Sequence, residues 1–147
     1  MRVGGLLKQK EALVVTIREH ETVAQAARLL IEHNIGALPV TDSKGAPVGL
    51  ISERDLVQAL ESEGGEVRSL SASRVMRAPA PSCGEDATVR EVMGRMTRDR
   101  LRHLIVVTDE ELVGVISVGD LVKHRLEELE TETGVLRDYV AAQRARR

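Results

Sequence analysis

Apolar residues recur along this chain with two different periods. Short runs rich in β-branched residues favour strands, and apolar residues three or four positions apart favour helices. In the first half the pattern predicts a strand at 14–17, a helix that begins at Thr22 and carries apolar residues to Ile31, strands at 37–40 and 47–51 around an Asp-Ser-Lys-Gly turn, and a helix from Ser52 to about residue 63. The predicted order is therefore strand, helix, strand, strand, helix.

The second half repeats this order. Residues 48–57 align with residues 113–122 at an offset of 65, and seven of these ten positions are identical. The turn between the two strands is one residue shorter in the second copy, and such length changes belong in turns. The second set of elements is predicted as a strand at 80–83, a helix marked by Val89, Val92, Met93 and Met96, strands at 102–107 and 112–117, and a helix from 118 to about 130.

The predicted fold class is α/β in the broad sense (α+β), with two pseudo-symmetric β-α-β-β-α repeats that form one compact module. We place the first repeat at residues 8–63, a linker at 64–74, the second repeat at 75–130 and a weakly helical, partly frayed tail at 131–147. About sixty residues is near the lower limit for a stable core. Each repeat is therefore expected to bury its sheet face against the other.

The composition is that of a globular protein. Of 147 residues, 42% are hydrophobic and 30% are charged, and the net charge is −2. No apolar run reaches the roughly 18–20 residues that span a bilayer, and the N-terminal residues lack the apolar stretch of a secretory signal. The single cysteine, Cys83, excludes a disulfide within the chain. We therefore expect a cytoplasmic protein with no membrane partner.

The chain has no Phe and no Trp, and Tyr139 is its one tyrosine. Proteins that bind single-stranded nucleic acid stack bases on aromatic rings, and those that bind duplexes carry a basic surface. We therefore expect no nucleic-acid partner. Any base that this protein binds must lie between aliphatic side chains.

One motif, Gly-x-Ile-Ser-x-x-Asp, occurs in both copies at a strand-to-helix junction. Ser52 with Asp55, and Ser117 with Asp120, have the spacing of a capping box, in which the two residues satisfy the first amides of a helix. The same geometry attracts a ligand, because free amides at a helix start bind phosphate and a carboxylate accepts hydrogen bonds from a sugar. The glycine before each motif is expected to permit close approach of that ligand.

Metal and catalytic sites find little support in the sequence. The four histidines lie on separate predicted elements without ligand spacing, and His124 is expected on a solvated helix face. There is no pairing of a nucleophile with a base and no phosphate loop of the GxxxxGK type. We therefore expect a non-enzyme without a bound metal.

The repeats resemble the tandem CBS (cystathionine β-synthase) domain, or Bateman module. The resemblance rests on residues 49–55 and 114–120, on the strand Gly-Ala-Leu-Pro-Val at 36–40, and on the order of the elements, and it covers about residues 8 to 130. The chain is similar to small stand-alone bacterial CBS-pair proteins. This resemblance implies adenosine-containing ligands in two clefts between the repeats.

Carried over to this chain, the family pattern implies two sets of binding residues. Cleft A would place the base against Val15, Ile35, Gly36 and Ala37, the ribose on Asp120, and a phosphate near Ser117, Arg102 and His103. Cleft B would place the base against Pro81, Leu101 and Arg102, the ribose on Asp55, and a phosphate near Ser52 and Arg54. Because bulky Arg102 and His103 replace the small pair Gly36-Ala37, cleft B is expected to be crowded, and cleft A is preferred.

Together these features lead us to expect a regulatory sensor that binds AMP, ADP, ATP or NAD(H), with S-adenosylmethionine as a further adenosine ligand. AMP is the preferred ligand, and no catalytic cofactor is expected. The resemblance further implies a homodimer and a regulated partner protein that the sequence does not name. The alternative is an interaction module that regulates another protein without any ligand.

Overall fold

The structure, a computed structural model that describes residues 1–11 and 13–145, contains the predicted order of strands and helices twice. The first half comprises α1 (Val3–Lys10), β1 (Ile17–Arg18), α2 (Val23–Glu32), β2 (Ala37–Thr41), β3 (Pro47–Ser52) and α3 (Glu53–Glu63). After a 3₁₀ helix (Gly64–Ser69), the second half comprises α4 (Ala72–Val75), β4 (Ser82–Cys83), α5 (Val89–Asp99), β5 (His103–Thr108), β6 (Glu111–Ser117) and α6 (Val118–Ala145). The mixed α/β class and the repeat are confirmed.

Each half forms its own three-stranded sheet with the same topology. The first strand runs parallel to the second, and the second and third form an antiparallel hairpin, so the strand orders are β1-β2-β3 and β4-β5-β6. The hairpin register places Ala37 opposite Ser52 and His103 opposite Ser117. The start of each second strand therefore lies beside the serine that begins the following helix.

Side-chain caps mark the starts of α2, α3 and α5. The Thr22 hydroxyl accepts a hydrogen bond from the amide of Gln25 at 3.2 Å and so caps α2. Thr88 and Glu91 form a complete capping box at α5, and Ser52 and Asp55 form another at α3. These contacts satisfy amides that have no partner inside the helix.

The two sheets bury an apolar layer between them, as expected for repeats of this size. Ala37 and Leu50 from the first sheet pack with Ile105 from the second, and each is at most 4% exposed. Leu50 also pairs through its backbone with Arg77, at 3.0 Å from amide to carbonyl. Since no aromatic residue is available, this layer consists of aliphatic side chains throughout its described extent.

Each repeat completes its core with the helix that precedes the other repeat, so α1 and α4 are exchanged between the repeats. Val3 and Leu6 of α1 are buried in the core of the second repeat, where the Val3 amide donates to the Ala87 carbonyl at 2.9 Å. In the same way Ala72 of α4 is buried in the core of the first repeat, and its amide donates to the Glu21 carbonyl at 2.7 Å. The predicted boundary at residue 8 divides α1, and the predicted linker 64–74 contains the 3₁₀ helix and most of α4.

Helix α6 continues far beyond the predicted end near residue 130. It runs without a break to Ala145, so residues 131–145 of the expected tail extend α6, and Gly134 does not interrupt it. Arg146 and Arg147, also assigned to the tail, lie outside the described residues.

The expectation for His124 is wrong, because this residue is 9% exposed and faces the module. Within residues 1–11 and 13–145, no helix, α6 included, is apolar enough over sufficient length to cross a membrane.

The glycine of each repeated motif makes room for a side chain of the protein itself. A Cβ added at Gly49 would lie 2.8 Å from Met76 Cγ, and one at Gly114 would lie 2.9 Å from Leu7 Cδ2. Leu7 is on α1, and Met76 directly follows α4. These two glycines therefore allow α1 and the residue after α4 to pack against the strands, and close approach of a ligand at the same positions stays a prediction.

Substitution of Gly49 tests this role. We expect Gly49→Ala to lower the free energy of unfolding by about 1–3 kcal/mol, since the added methyl group would overpack against Met76 and the Arg77 carbonyl. Urea denaturation followed by circular dichroism measures the loss. Gly94→Ala is the control, because Gly94 lies inside α5 with open space around it, and it should gain about 0.5–1 kcal/mol. A Gly49 variant as stable as the original protein would contradict the packing role.

Candidate functional site

A cavity of about 300 Å³ lies between the two repeats, next to the end of α1. This volume is at the lower end of small-molecule sites. Its wall is formed by apolar side chains with a few polar groups, and its described residues include no Phe, Tyr or Trp. The lining residues are Leu7, Lys10, Leu13, Val14, Val15, Asn34, Ile35, Gly36, Ala37, His103, Val113, Gly114, Val115, Ser117 and Asp120.

The cavity brings together most of the residues predicted for cleft A. Seven of those eight residues line it, namely Val15, Ile35, Gly36, Ala37, His103, Ser117 and Asp120. They come from both repeats. The β5–β6 hairpin, in which His103 lies beside Ser117, faces the segment of the first repeat that leads into β2. Arg102 is the exception: its side chain is exposed and does not line the cavity, while its carbonyl accepts a hydrogen bond from the Val118 amide at 2.9 Å.

Asp120 is the most highly connected polar group in the cavity wall. Its Oδ2 accepts hydrogen bonds from the Ser117 amide and from Lys10 Nζ, each at 2.9 Å. The Asp120 amide in turn donates to the Ser117 hydroxyl at 3.1 Å, which completes a capping box at α6. All of these side-chain contacts fall on Oδ2, and the described residues provide no hydrogen-bond donor to Oδ1.

The charge state of Asp120 follows from these contacts. Burial of the carboxyl alone would raise its pKa, but the hydrogen bonds from Lys10 and Ser117 and the Lys10 charge hold the pKa below its ordinary value. Asp120 is therefore ionised near neutral pH. The cavity presents a carboxylate whose second oxygen is able to accept hydrogen bonds from a ligand.

His103 lies beside Ser117 in the hairpin and packs against Gly36. A Cβ added at Gly36 would be 3.1 Å from His103 Nε2, so a side chain at position 36 would press on the imidazole. Burial lowers the pKa of His103 below its ordinary value, against the opposing effect of the Asp120 and Glu53 charges. At neutral pH the ring is therefore uncharged, with one nitrogen as donor and one as acceptor.

Lys10 is a charged lining residue that the sequence analysis did not name. It lies on α1, outside the repeated pattern, and reaches the cavity only because α1 packs on the second repeat. Besides Asp120, its ammonium donates to the Val115 carbonyl at 3.1 Å. The segments that precede the two repeats also show why the clefts differ. Leu7 and Met76 occupy equivalent places, since each packs against the glycine of a repeated motif. Three residues after them stand Lys10 in the first segment and Pro79 in the second, so only the first segment carries an ammonium.

The residues predicted for cleft B do not line either of the two described cavities. Ser52 and Asp55 are engaged with each other, since Asp55 Oδ2 accepts from the Ser52 amide at 2.8 Å and from its hydroxyl at 2.9 Å. Arg54 is exposed and Pro81 is half-buried, whereas Leu101 is a core residue of the second repeat. Arg102, assigned to both clefts, is exposed. Binding at cleft B remains a prediction.

A second cavity, of about 470 Å³, lies between α2 and α3 and shares Asn34, Ile35 and Gly36 with the first. Its other lining residues are Ala27, Leu30, Ile31, Glu53 and Leu56. It has one charged group and lacks the pairing of a carboxylate with an ammonium found at the first cavity. The first cavity is thus the better equipped for polar ligand recognition.

Comparison with known proteins identifies the repeats. The family model described as the CBS domain matches residues 14–62 and 72–127, which together form most of the chain. The chain belongs to the CBS-domain family. The resemblance seen in the sequence is confirmed, and the second match begins at the first residue of α4.

Relatives and solved structures support this assignment over most of their length. Hypoxic response protein 1 from Mycobacterium tuberculosis is 28% identical over 111 residues, which are 76% of this chain and 78% of that protein. The crystal structure of the CBS-domain containing protein ATU1752 from Agrobacterium tumefaciens has a TM-score of 0.80 and 38% identity, and the match covers 84% of this chain and 92% of that one.

A third similar structure contains ligands. The CBS domain pair of protein MJ0100, solved in complex with 5-methylthioadenosine and S-adenosyl-L-methionine, has a TM-score of 0.77 and 25% identity. The match covers 87% of this chain and 98% of that chain.

Among the described residues of the present protein, no group of three or more His, Cys, Asp or Glu side chains is arranged to hold a metal ion.

The pKa of His103 tests the electrostatics of the cavity. We expect a value below the ordinary 6.5, and we expect Asp120→Asn to lower it further, because the Asp120 charge favours the protonated ring. An NMR titration of the ring protons measures both values, with His103→Gln to assign the signal. Because the folded pKa lies below the unfolded one, this group makes unfolding easier as pH falls through that interval. A pKa at or above 6.5 would contradict the burial of the ring.

Proposed function

We propose that this protein is a non-catalytic regulatory module that binds the adenosine part of a small nucleotide in the cavity lined by Lys10, His103 and Asp120. CBS-domain proteins are regulatory modules, and some proteins of similar structure bind adenosine ligands. The observation that carries the proposal is the cavity itself, in which aliphatic walls from one repeat face an ionised carboxylate at a helix start of the other.

The aliphatic part of the wall fits a purine base. Val15 and Ile35 are half-buried and Ala37 is buried, and together they offer apolar surface on the side of the first repeat. A base is flat and mostly apolar on its faces, so burial between such side chains is favourable. The lining contains no Phe, Tyr or Trp, and its one aromatic ring is the His103 imidazole. The aliphatic side chains of the first repeat therefore offer the larger apolar surface for the base.

The carboxylate of Asp120 fits a ribose. Its Oδ1 has no donor among the described residues, and two neighbouring hydroxyls of a sugar are donors that match a carboxylate. The Ser117 hydroxyl and the first amides of α6 lie beside it and favour an anion at the same helix start. A nucleoside monophosphate would use both features.

The charge of the wall offers a single cation to an anionic ligand. Lys10 contributes one positive charge, Asp120 one negative charge, and His103 is neutral at pH 7, so the ionisable groups that line the cavity sum to about zero. The arginines expected near phosphate, Arg102 and Arg54, are both exposed and outside the cavity. We therefore propose AMP or an uncharged adenosine derivative over ATP or NAD(H), whose additional phosphates have no buried cation to pair with.

Lys10 provides a way to report that the cavity is filled. The two hydroxyls of a ribose at Asp120 would use both carboxylate oxygens, so one of them competes with the Lys10 ammonium, which holds Oδ2 at 2.9 Å. A ligand shifts a conformational equilibrium only by its differential affinity for the two states. Binding that releases Lys10 thus changes how the end of α1 is held. The alternative of a ligand-independent interaction module involves no such change.

Loss of the Asp120 carboxylate tests the binding site. We expect Asp120→Ala to weaken AMP binding about 10- to 100-fold, because ribose hydroxyls would be left without an acceptor in a partly buried site. Isothermal titration calorimetry of nucleotide-stripped protein with AMP, 5-methylthioadenosine, S-adenosylmethionine, ATP and NADH measures the affinities.

Asp55→Ala is the matched comparison, because it removes the equivalent capping box at α3 outside the cavity. Both variants should lose a similar stability of about 1 kcal/mol, while only Asp120→Ala should lose affinity. Equal loss of affinity in both variants would assign the effect to capping. Loss in Asp55→Ala alone would move the site to cleft B. No binding of any nucleotide by the original protein would favour the ligand-independent module.

Removal of the competing ammonium gives the opposite result. We expect Lys10→Met to strengthen the binding of 5-methylthioadenosine about three- to tenfold, since the ribose no longer displaces a charge-assisted hydrogen bond. Lys8→Met is the control, because Lys8 is an exposed residue of the same helix that does not line the cavity. Calorimetric titration compares the two variants. Weaker binding in Lys10→Met would show that Lys10 supports the ligand directly.

A further inference from the structure

A continuous row of exposed side chains follows one face of α6. The positions alternate in spacing between four and three residues, which is the repeat of a two-stranded coiled coil. They are Val122, Leu126, Leu129, Thr133, Leu136 and Val140. Five of the six are apolar, and each of these five is at least 41% exposed.

This row points away from the protein's own module. Leu121 and His124 are the residues of α6 that are buried, at 2% and 9% exposure, so they mark the side that packs on the second repeat. At 3.6 residues per turn, Val122, Leu126 and Leu129 lie more than a quarter turn from that side. The row then continues past the module, where residues 129–145 have almost no contact that buries them. The protein itself leaves this face uncovered.

We propose that the row is the seam of a parallel, in-register coiled coil with α6 of a second copy of this chain. The proposal is independent of nucleotide binding, because it uses residues that lie outside both cavities. From Val122 to Val140 the seam is about 27 Å long, at 1.5 Å per residue. Thr133 is the one polar seam position, and its hydroxyl is already bonded to the Leu129 carbonyl at 2.9 Å.

The charges beside the seam favour the parallel arrangement. In a parallel dimer the residue just before Leu126, and likewise the residue just before Thr133, faces the residue five positions later on the other helix. That rule places Arg125 of one copy opposite Glu130 of the other, and Glu132 opposite Arg137. Each pairing joins opposite charges, and the two-fold symmetry makes it occur twice.

An antiparallel arrangement of the same seam brings like charges together. When Leu126 is opposite Leu136 in that arrangement, the flanking positions place Lys123 near Arg137 and Glu130 near its own copy. Like-charge contacts of this kind set orientation and register in coiled coils. The sequence of charges therefore selects a second copy in the parallel orientation as the occupant of this face.

Cysteine cross-linking of the full chain tests the orientation. In a Cys83→Ser background, Leu136→Cys places two seam thiols opposite each other within disulfide reach, and mild oxidation should link most of the protein as dimer. Val135→Cys is the matched control, because Val135 and Leu136 are both 63% exposed but Val135 lies outside the seam. We expect about tenfold more linked dimer for the seam cysteine at equal protein concentration. Equal linking at both positions, or none at Leu136→Cys, would overturn the proposal.

Charge reversal supplies a second, independent readout. Arg137→Glu turns both pairings with Glu132 into like-charge contacts and should weaken association about three- to tenfold, and Glu132→Arg combined with Arg137→Glu should restore it. Asp138→Arg reverses a neighbouring charge on the outer face and should have no such effect. Analytical ultracentrifugation measures the dimerisation constants, and the Leu136→Cys cross-link reports the seam if other contacts also hold the dimer. Failure of the double variant to restore association or cross-linking would overturn the parallel pairing.

Discussion

The exchange of preceding helices between the repeats is the constraint on which the rest of this structure depends. Neither repeat fills its core with its own residues alone, because Val3 and Leu6 of α1 complete the second core as Ala72 of α4 completes the first. The exchange requires a glycine on the strand that receives each helix. It also fixes the two repeats to each other at points beyond the layer between their sheets.

The same packing makes the two halves differ at their capping boxes. Ser117-Asp120 and Ser52-Asp55 are nearly identical capping boxes, yet only Asp120 receives a lysine from the exchanged segment. A cap needs one oxygen of its carboxylate, and the described contacts leave the other oxygen of Asp120 free. Capping and ligand recognition are therefore compatible on a single side chain. Pseudo-symmetry provides the scaffold, and the segments before the repeats make the two sites unequal.

Much of this architecture is readable from the sequence because it repeats. The motif at residues 49–55 and 114–120 predicts the strand-to-helix junctions, and the apolar pattern that begins at Thr22 predicts the start of α2. The resemblance to the CBS family supplied the cleft A residues, seven of which line one cavity. Helix α1 was missed because it is eight residues long, contains two glycines and lies outside the repeat. Lys10 was missed with it, since only tertiary packing brings a residue 110 positions distant to Asp120.

The exchanged α1 also has a consequence for how the chain folds as it is made. Synthesis proceeds from the N-terminus, so α1 emerges first, whereas its partners in β6 and α6 emerge among the last. The first repeat is complete as a chain segment long before the second core can form around Val3. Contacts this distant in sequence slow folding, because a large loop must close before they form. Until the C-terminal half has been made, the apolar face of α1 stays open to chaperones and to other nascent chains.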